Sequence, residues 1–168
     1  MSQSESAKAN SAAQTRMRIE APNSRPRTIK AFPLDAGASA QLVELAERHP
    51  RLMVVDWMAG RPEPAAGRTL ADWFGDMAGW TRRAVDAIAG ADVVVIVATA
   101  PDNGELAGAI GDACRERGKL PLSIVLRGAV LSDDDLSALL RHLRPHSGML
   151  VIADDPDYVD AMVSALRA

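Results

Sequence analysis

The stretch Ala91-Asp92-Val93-Val94-Val95-Ile96-Val97-Ala98-Thr99-Ala100-Pro101-Asp102-Asn103-Gly104 decides the fold. Its β-branched run has no polar alternation, so it reads as a strand covered on both faces, the condition of a parallel strand in an α/β protein. Pro101, Asp102, Asn103 and Gly104 end it with turn chemistry, and a helical pattern opens directly behind them. A buried strand, a turn and a helix make one unit of a parallel sheet.

The same unit recurs on both sides of this centre. Upstream, residues 28–33 read as a strand closed by Leu34 to Ser39, and Leu42, Val43, Leu45 and Ala46 then fall on a helix that ends near His49-Pro50. Residues 51–57 give a second buried strand. The stretch from Ala59 to Gly67 is rich in proline and glycine and reads as an exposed loop. From Thr69 to Ala89 runs a long helix, with Thr69 as N-cap, Asp72 as its capping-box partner and Gly90 as the stop. Downstream, residues 105–117 read as a helix with Leu106, Ala109, Ile110 and Ala113 inward, and Ala107, Gly108 and Gly111 let it lie close to the sheet. A strand follows at residues 121–127. Ser132 and three aspartates then cap a helix with Leu136, Leu139, Leu140 and Leu143 inward. Residues 149–153 form the last strand, and Asp155-Pro156 open a closing helix with Val159, Met162, Val163 and Leu166 inward. The expectation is a three-layer Rossmann-like α/β sandwich whose five-stranded parallel sheet has the order 2-1-3-4-5.

Composition sets the bounds of function. With 168 residues, 48% of them apolar, the chain has material for one domain, expected over residues 27–168. Residues 1–26 contain almost no large apolar side chain and read as a disordered basic tail. The net charge of −3 conceals an asymmetry: residues 1–30 hold six basic and two acidic residues, and the remainder 13 basic and 20 acidic ones. An acidic body argues against a nucleic-acid partner. No apolar run is long enough to span a membrane, and the start lacks a secretory signal, so a cytoplasmic location is expected. The single Cys114 makes no internal disulfide.

The segment Ala87-Ile88-Ala89-Gly90-Ala91-Asp92-Val93-Val94-Val95-Ile96-Val97-Ala98 resembles the helix end and strand that lead into the glycine-rich phosphate loop of the tubulin and FtsZ family. Residues 139–152, followed by Asp154, Asp155 and Pro156, resemble the same family's last strand and the start of its central helix. The resemblance runs from about Thr28 to Ala168 and implies a nucleotide-binding fold. The loops depart from the family. Where it has GGGTGTG, this chain has Ala98-Thr99-Ala100-Pro101-Asp102-Asn103-Gly104, and its first glycine-rich loop is replaced by Leu34-Asp35-Ala36-Gly37-Ala38-Ser39. Glycines let backbone amides wrap closely around phosphate, whereas carboxylates such as Asp35 and Asp102 repel it. The resemblance therefore implies a truncated relative with a degenerate GTP site.

In the expected strand order, the loops after strands one and three flank the topological switch point, where sheets of this kind bind ligands. Asp35, Gly37, Ser39, Thr99, Asp102, Asn103 and Gly104 line it, with Asp56 and Asp154 at neighbouring strand ends. One reading gives Asp35, Asp56 and Asp102 to Mg²⁺ or a ribose; the other makes Ser39, Asp102 and Asn103 caps and turn formers. Cys114 beside Arg115 and Arg117 is either a nucleophile or a small buried hydrophobe. His142 and His146 have the spacing of a zinc pair, but Pro145 breaks the helix that would align them. On the long helix, Trp73, Met77, Trp80, Ala84 and Ile88 recur at three- and four-residue steps as a stripe that either packs on the sheet or leaves a share exposed to a partner; Leu70 and Phe74 fall beyond one stripe, so part of the surface carrying Trp73, Phe74, Met77 and Trp80 is expected at an interface. The leading expectation is a non-catalytic FtsZ-like or Rossmann-like scaffold, without cofactor or metal, that associates with a protein partner or with itself. Its rival is a nucleotide- or Mg²⁺-dependent enzyme using the switch-point carboxylates.

Overall fold

The computed structural model describes residues 26–59, 61–62, 69–128 and 131–166, the side chain of Trp73 excepted. The expected tail, apart from Pro26, lies outside the described residues. Strands β1 (Ile29–Pro33), β2 (Leu52–Val54), β3 (Val93–Ala98), β4 (Leu122–Leu126) and β5 (Met149–Ala153) alternate with helices α1 (Ala36–Arg48), α2 (Leu70–Ala89), α3 (Leu106–Glu116), α4 (Asp133–Leu143) and α5 (Asp157–Ala165). All strand pairs are parallel, in the order β2-β1-β3-β4-β5. The sequence-based fold class and strand order are those of the structure.

Strand alternation sorts the core onto two faces of the sheet. On one face Phe32, Val94, Ile96 and Val125 pack with side chains of α2, α3 and α4; on the other Ile29, Val95, Val97, Ile124 and Leu126 pack against α1 and α5. β3 sits at the centre because its residues from Val94 to Ala98 are buried on both sides. At one edge, β5 leaves Met149 and Ile152 exposed.

Helix ends follow local chemistry. The Thr69 hydroxyl accepts from the Asp72 amide at 3.2 Å, and the Asp72 carboxylate accepts from the Thr69 amide at 3.3 Å, closing the expected capping box. Ser132 caps α4, whose first turn holds Asp133, Asp134 and Asp135 and whose last turn holds Arg141 and His142. Both sets of charges favour the helix dipole.

Several expectations are corrected. β2 stops at Val54 rather than Trp57, because the Trp57 amide turns back to the Val55 carbonyl at 2.8 Å and draws the chain off the ladder. The Trp57 ring then enters the core, donates to the Pro33 carbonyl at 2.9 Å and stacks on Trp80 at 5.0 Å. Trp80, expected at an interface, is therefore a core residue, only 3% exposed. Ala84 and Ile88 continue its stripe and Met77 packs partly against it, while Leu70 and Phe74 are 72% and 58% exposed. Val43 faces solvent because Ala38, Leu42 and Leu45 form the inward stripe of α1. Ala109 likewise points outward, and the inner face of α3 is Leu106, Ala107, Ile110, Gly111, Ala113 and Cys114. Gly111 makes room for a neighbouring turn rather than for the sheet: a Cβ there would lie 2.4 Å from that of His146, in the 3₁₀ turn Arg144–His146.

Candidate functional site

The loops after β1 and β3 meet at the switch point, and one side chain joins them. Asp35 lies two residues beyond β1 and is the N-cap of α1, its Oδ1 accepting from the Ala38 amide at 2.8 Å. The same carboxylate accepts from the Thr99 amide at 2.7 Å, from the Thr99 hydroxyl at 2.6 Å and from the Ala100 amide at 3.1 Å. Three backbone N–H groups and one hydroxyl, from a helix N-terminus and the neighbouring loop, thus converge on one anion. This is the donor arrangement with which such folds hold a phosphate. Here the anion is covalently part of the chain and 9% exposed.

The neighbouring residues tighten the closure. Gly37 is needed at its position because a Cβ there would stand 2.4 Å from the Thr99 hydroxyl. Asn103 adopts the left-handed conformation, φ 58°, which asparagine tolerates better than most residues. Its side-chain amide donates to the Leu34 carbonyl at 3.0 Å, and its carbonyl accepts from Arg61 at 2.8 Å. Arg61 lies 3.7 Å from Glu105 as well. Of the stretch expected to be an exposed loop, Arg61 and Pro62 are instead half-buried, and residues 60 and 63–67 lie outside the described residues.

The other expected site residues separate from this cluster or serve packing. Ser39 takes the first helical bond of α1, its amide donating to the Asp35 carbonyl at 3.0 Å. Asp56 is exposed and accepts from the Ala59 amide at 3.2 Å, which makes it a turn former. Asp102 is exposed, and Gly104 is buried against α4, where a Cβ would meet His142 and Leu139 at 3.2 and 3.3 Å. Asp35, Asp56 and Asp102 do not assemble into a Mg²⁺ site; among the described residues no group of three acidic, histidine or cysteine side chains is arranged to hold a metal. Burial pushes the Cys114 thiol up to about 11, outweighing Lys119 and Arg117, so it is a buried hydrophobe rather than a nucleophile.

Two residues escaped the sequence reading. Arg61 had no helical or strand pattern to mark it, and its role exists through its contacts with Asn103 and Glu105. Gln41, in the middle of α1, looked like ordinary helix surface, yet its side-chain oxygen is buried with no hydrogen-bond partner among the described residues. No protein-family model matches the chain, and no curated protein sequence matches it. Neither comparison links the chain to the tubulin and FtsZ family.

Proposed function

We propose that this chain is a non-catalytic α/β binding protein: a Rossmann-like scaffold of the FtsZ type that has given up its nucleotide seat and acts through association with protein, a second copy of itself included. The observation that carries this reading is the Asp35 carboxylate in the amide cradle. A phosphate entering there would meet a fixed negative charge instead of free donors, and the loops that would have to open are tied together through Asp35 by three hydrogen bonds. What the fold leaves outward supports association. Leu70 and Phe74 lie one turn apart on α2 and are largely exposed, and large apolar side chains grouped at a surface are usual at protein interfaces. Trp73 stands between them in sequence, with its side chain outside the described residues. No described helix is long and apolar enough to cross a membrane, so this surface is not part of a spanning helix.

Light scattering on the purified chain tests the reading. The expected result is a mass above that of the monomer, or a protein that co-purifies, and its loss in the double variant Leu70→Glu, Phe74→Glu. Both positions are exposed, so this variant should keep the thermal stability of the parent. A monomeric, partnerless parent chain overturns the proposal.

A further inference from the structure

The two edges of the sheet differ. β2 is three residues long, and the turn at Trp57 draws the chain away from it. Edges as short as that resist pairing with another chain. β5, at the other end of the sheet, is Met149-Leu150-Val151-Ile152-Ala153, five apolar residues in unbroken register with β4 and without a lysine, a proline or a bulge. Met149 and Ile152 are exposed, and Leu150 and Val151 only half-buried. The Ala153 carbonyl accepts from the Arg127 amide at 2.7 Å, so the backbone of Ala153 faces β4 and, by alternation along the strand, so does that of Val151 and Met149. The N–H and C=O groups of Leu150 and Ile152 therefore point to the open edge. We propose that this edge binds a second copy of the chain: β5 pairs antiparallel with the β5 of the copy about a twofold axis at Val151, joining the two five-stranded sheets into one.

The surfaces beside the strand are complementary to themselves. A twofold axis at Val151 sets Leu150 of one copy against Ile152 of the other, so the outward N–H and C=O groups of both are paired. α4 packs with Val125 of β4 and Leu150 of β5. A helix over that seam lies about 5 Å from the axis and about 10 Å from its mate, the distance of packed helices. The axis makes the two α4 helices antiparallel, and their facing flanks then match in charge. Asp134, Ser137, Arg141 and Arg144 follow at three- and four-residue steps and line one groove, while His142, on the other flank, lies against Gly104 ahead of α3. Acid stands at the start of this flank and base at its end, so Asp134 of each copy meets Arg141 and Arg144 of the other. None of the three has an ion pair within the chain among the described residues. That reversal along one flank selects a second copy over an unrelated strand. On the opposite face of the sheet, Asp160 ties α5 to His49 at the end of α1, and the far flank of α5 carries Tyr158, 48% exposed, and Met162 one turn on. There the contact is apolar. A strand pair alone is small for a stable dimer, which buries about 1,200 Å² or more; the helix flanks on both faces extend it.

The inference goes beyond the association proposed above: it gives the second copy to β5 and leaves α2 for a different protein. Sedimentation velocity over a concentration series tests it on the full chain and again in Leu70→Glu, Phe74→Glu. A dimer is expected in both, the α2 variant losing only a co-purifying protein or mass beyond the dimer. Met149→Lys, Ile152→Lys sets charge on the open edge and should abolish the dimer; both positions are exposed, so its circular dichroism should match the parent's. Asp134→Arg, and separately Arg141→Asp, Arg144→Asp, should each weaken the dimer at least about tenfold, since each brings like charges together twice across the axis. These three positions are exposed on α4 and its last turn, so they report whatever happens in β5. Mixed in equal amounts, the two charge variants should regain the parent's dimer, which a merely structural role of these residues would not produce. A monomer in the α2 variant of an associating parent overturns this inference and leaves the α2 reading standing. A dimer lost with the β5 changes alone, nothing being lost from α2, supports the inference and counts against that reading. A monomeric parent, a dimer indifferent to both sets of substitutions, no recovery on mixing, or a foreign protein released by the β5 variant from an otherwise monomeric chain would each overturn the proposal.

Discussion

Replacing Asp35 by alanine removes every bond between the loops after β1 and β3 that runs through its carboxylate. The loss has separable parts. The N-cap contact with Ala38 is worth about 1 kcal/mol. The Thr99 and Ala100 amides each lose a charged acceptor, and an unmet buried donor costs ~1–3 kcal/mol. The Thr99 hydroxyl can rotate to another acceptor, and a site that is 9% exposed admits some water, so the total should settle at about 3–5 kcal/mol. That is a large share of the ~5–15 kcal/mol that holds a domain together. Urea unfolding should report it as a lower midpoint at unchanged slope, with a fall in Tm on the order of 10 °C. The vacated cradle offers a second readout. Three amides and a hydroxyl now face no anion, so inorganic phosphate should raise the Tm of Asp35→Ala more than that of the parent, at equal ionic strength set with chloride. A stability loss under about 1 kcal/mol, less than a single unmet buried donor costs, together with equal phosphate effects on both proteins, would refute the account of Asp35.

Gly37→Ala should destabilise although alanine is the better helix former, because its Cβ would press on the Thr99 hydroxyl; overpacking of this kind costs roughly 1–3 kcal/mol. In a Thr99→Ala background the penalty should disappear, which a double-mutant cycle by urea unfolding will report. The Cys114 thiol, pushed up to about 11 by burial, should be unreactive toward a disulfide reagent at about pH 8, where on the order of one in a thousand is thiolate, and should react promptly once urea unfolds the chain. The hydrogen bond from His49, with Arg48 adding to it, holds the Asp160 carboxyl below the usual carboxylate range. Its folded pKa is thus depressed, so its contribution to stability is present above the ordinary aspartate pKa and is lost as pH falls through the folded value. Urea midpoints of Asp160→Asn, compared with the parent from neutral pH downward, should show a smaller acid-side loss.

The central strand, the strand order and the capped helices were legible because each is written locally. Val93 to Ala98 has no polar face, Thr69 and Asp72 form a box three residues apart, and Ser132 precedes three acids. The direction in which a residue faces was less legible. Val43 and Ala109 lie beside core positions on their helices, and only the packing partner decides which side of the stripe is covered. The sequence left Trp80 open between core and interface for a related reason: its partner is Trp57, a residue of another segment that leaves its strand to meet it. At the candidate site, the sequence placed the correct loops at the switch point and named Asp35 as hostile to phosphate. It could not show that the carboxylate turns inward and takes the donors itself, since the Thr99 and Ala100 amides are 64 and 65 residues away. Arg61 and Gln41 matter through long-range contact and through burial, neither of which leaves a pattern in sequence.

The claim on which the account turns is that this chain supplies its own anion where related folds would receive a nucleotide. Calorimetric titration of GTP with Mg²⁺ into the parent chain, followed by an assay for released phosphate, addresses it directly. No saturable heat at micromolar nucleotide and no turnover are expected, because the Ala38, Thr99 and Ala100 amides are already bound to Asp35. Micromolar binding accompanied by phosphate release would contradict the account, and binding that Asp102→Asn weakens would return the switch-point carboxylates to a catalytic role.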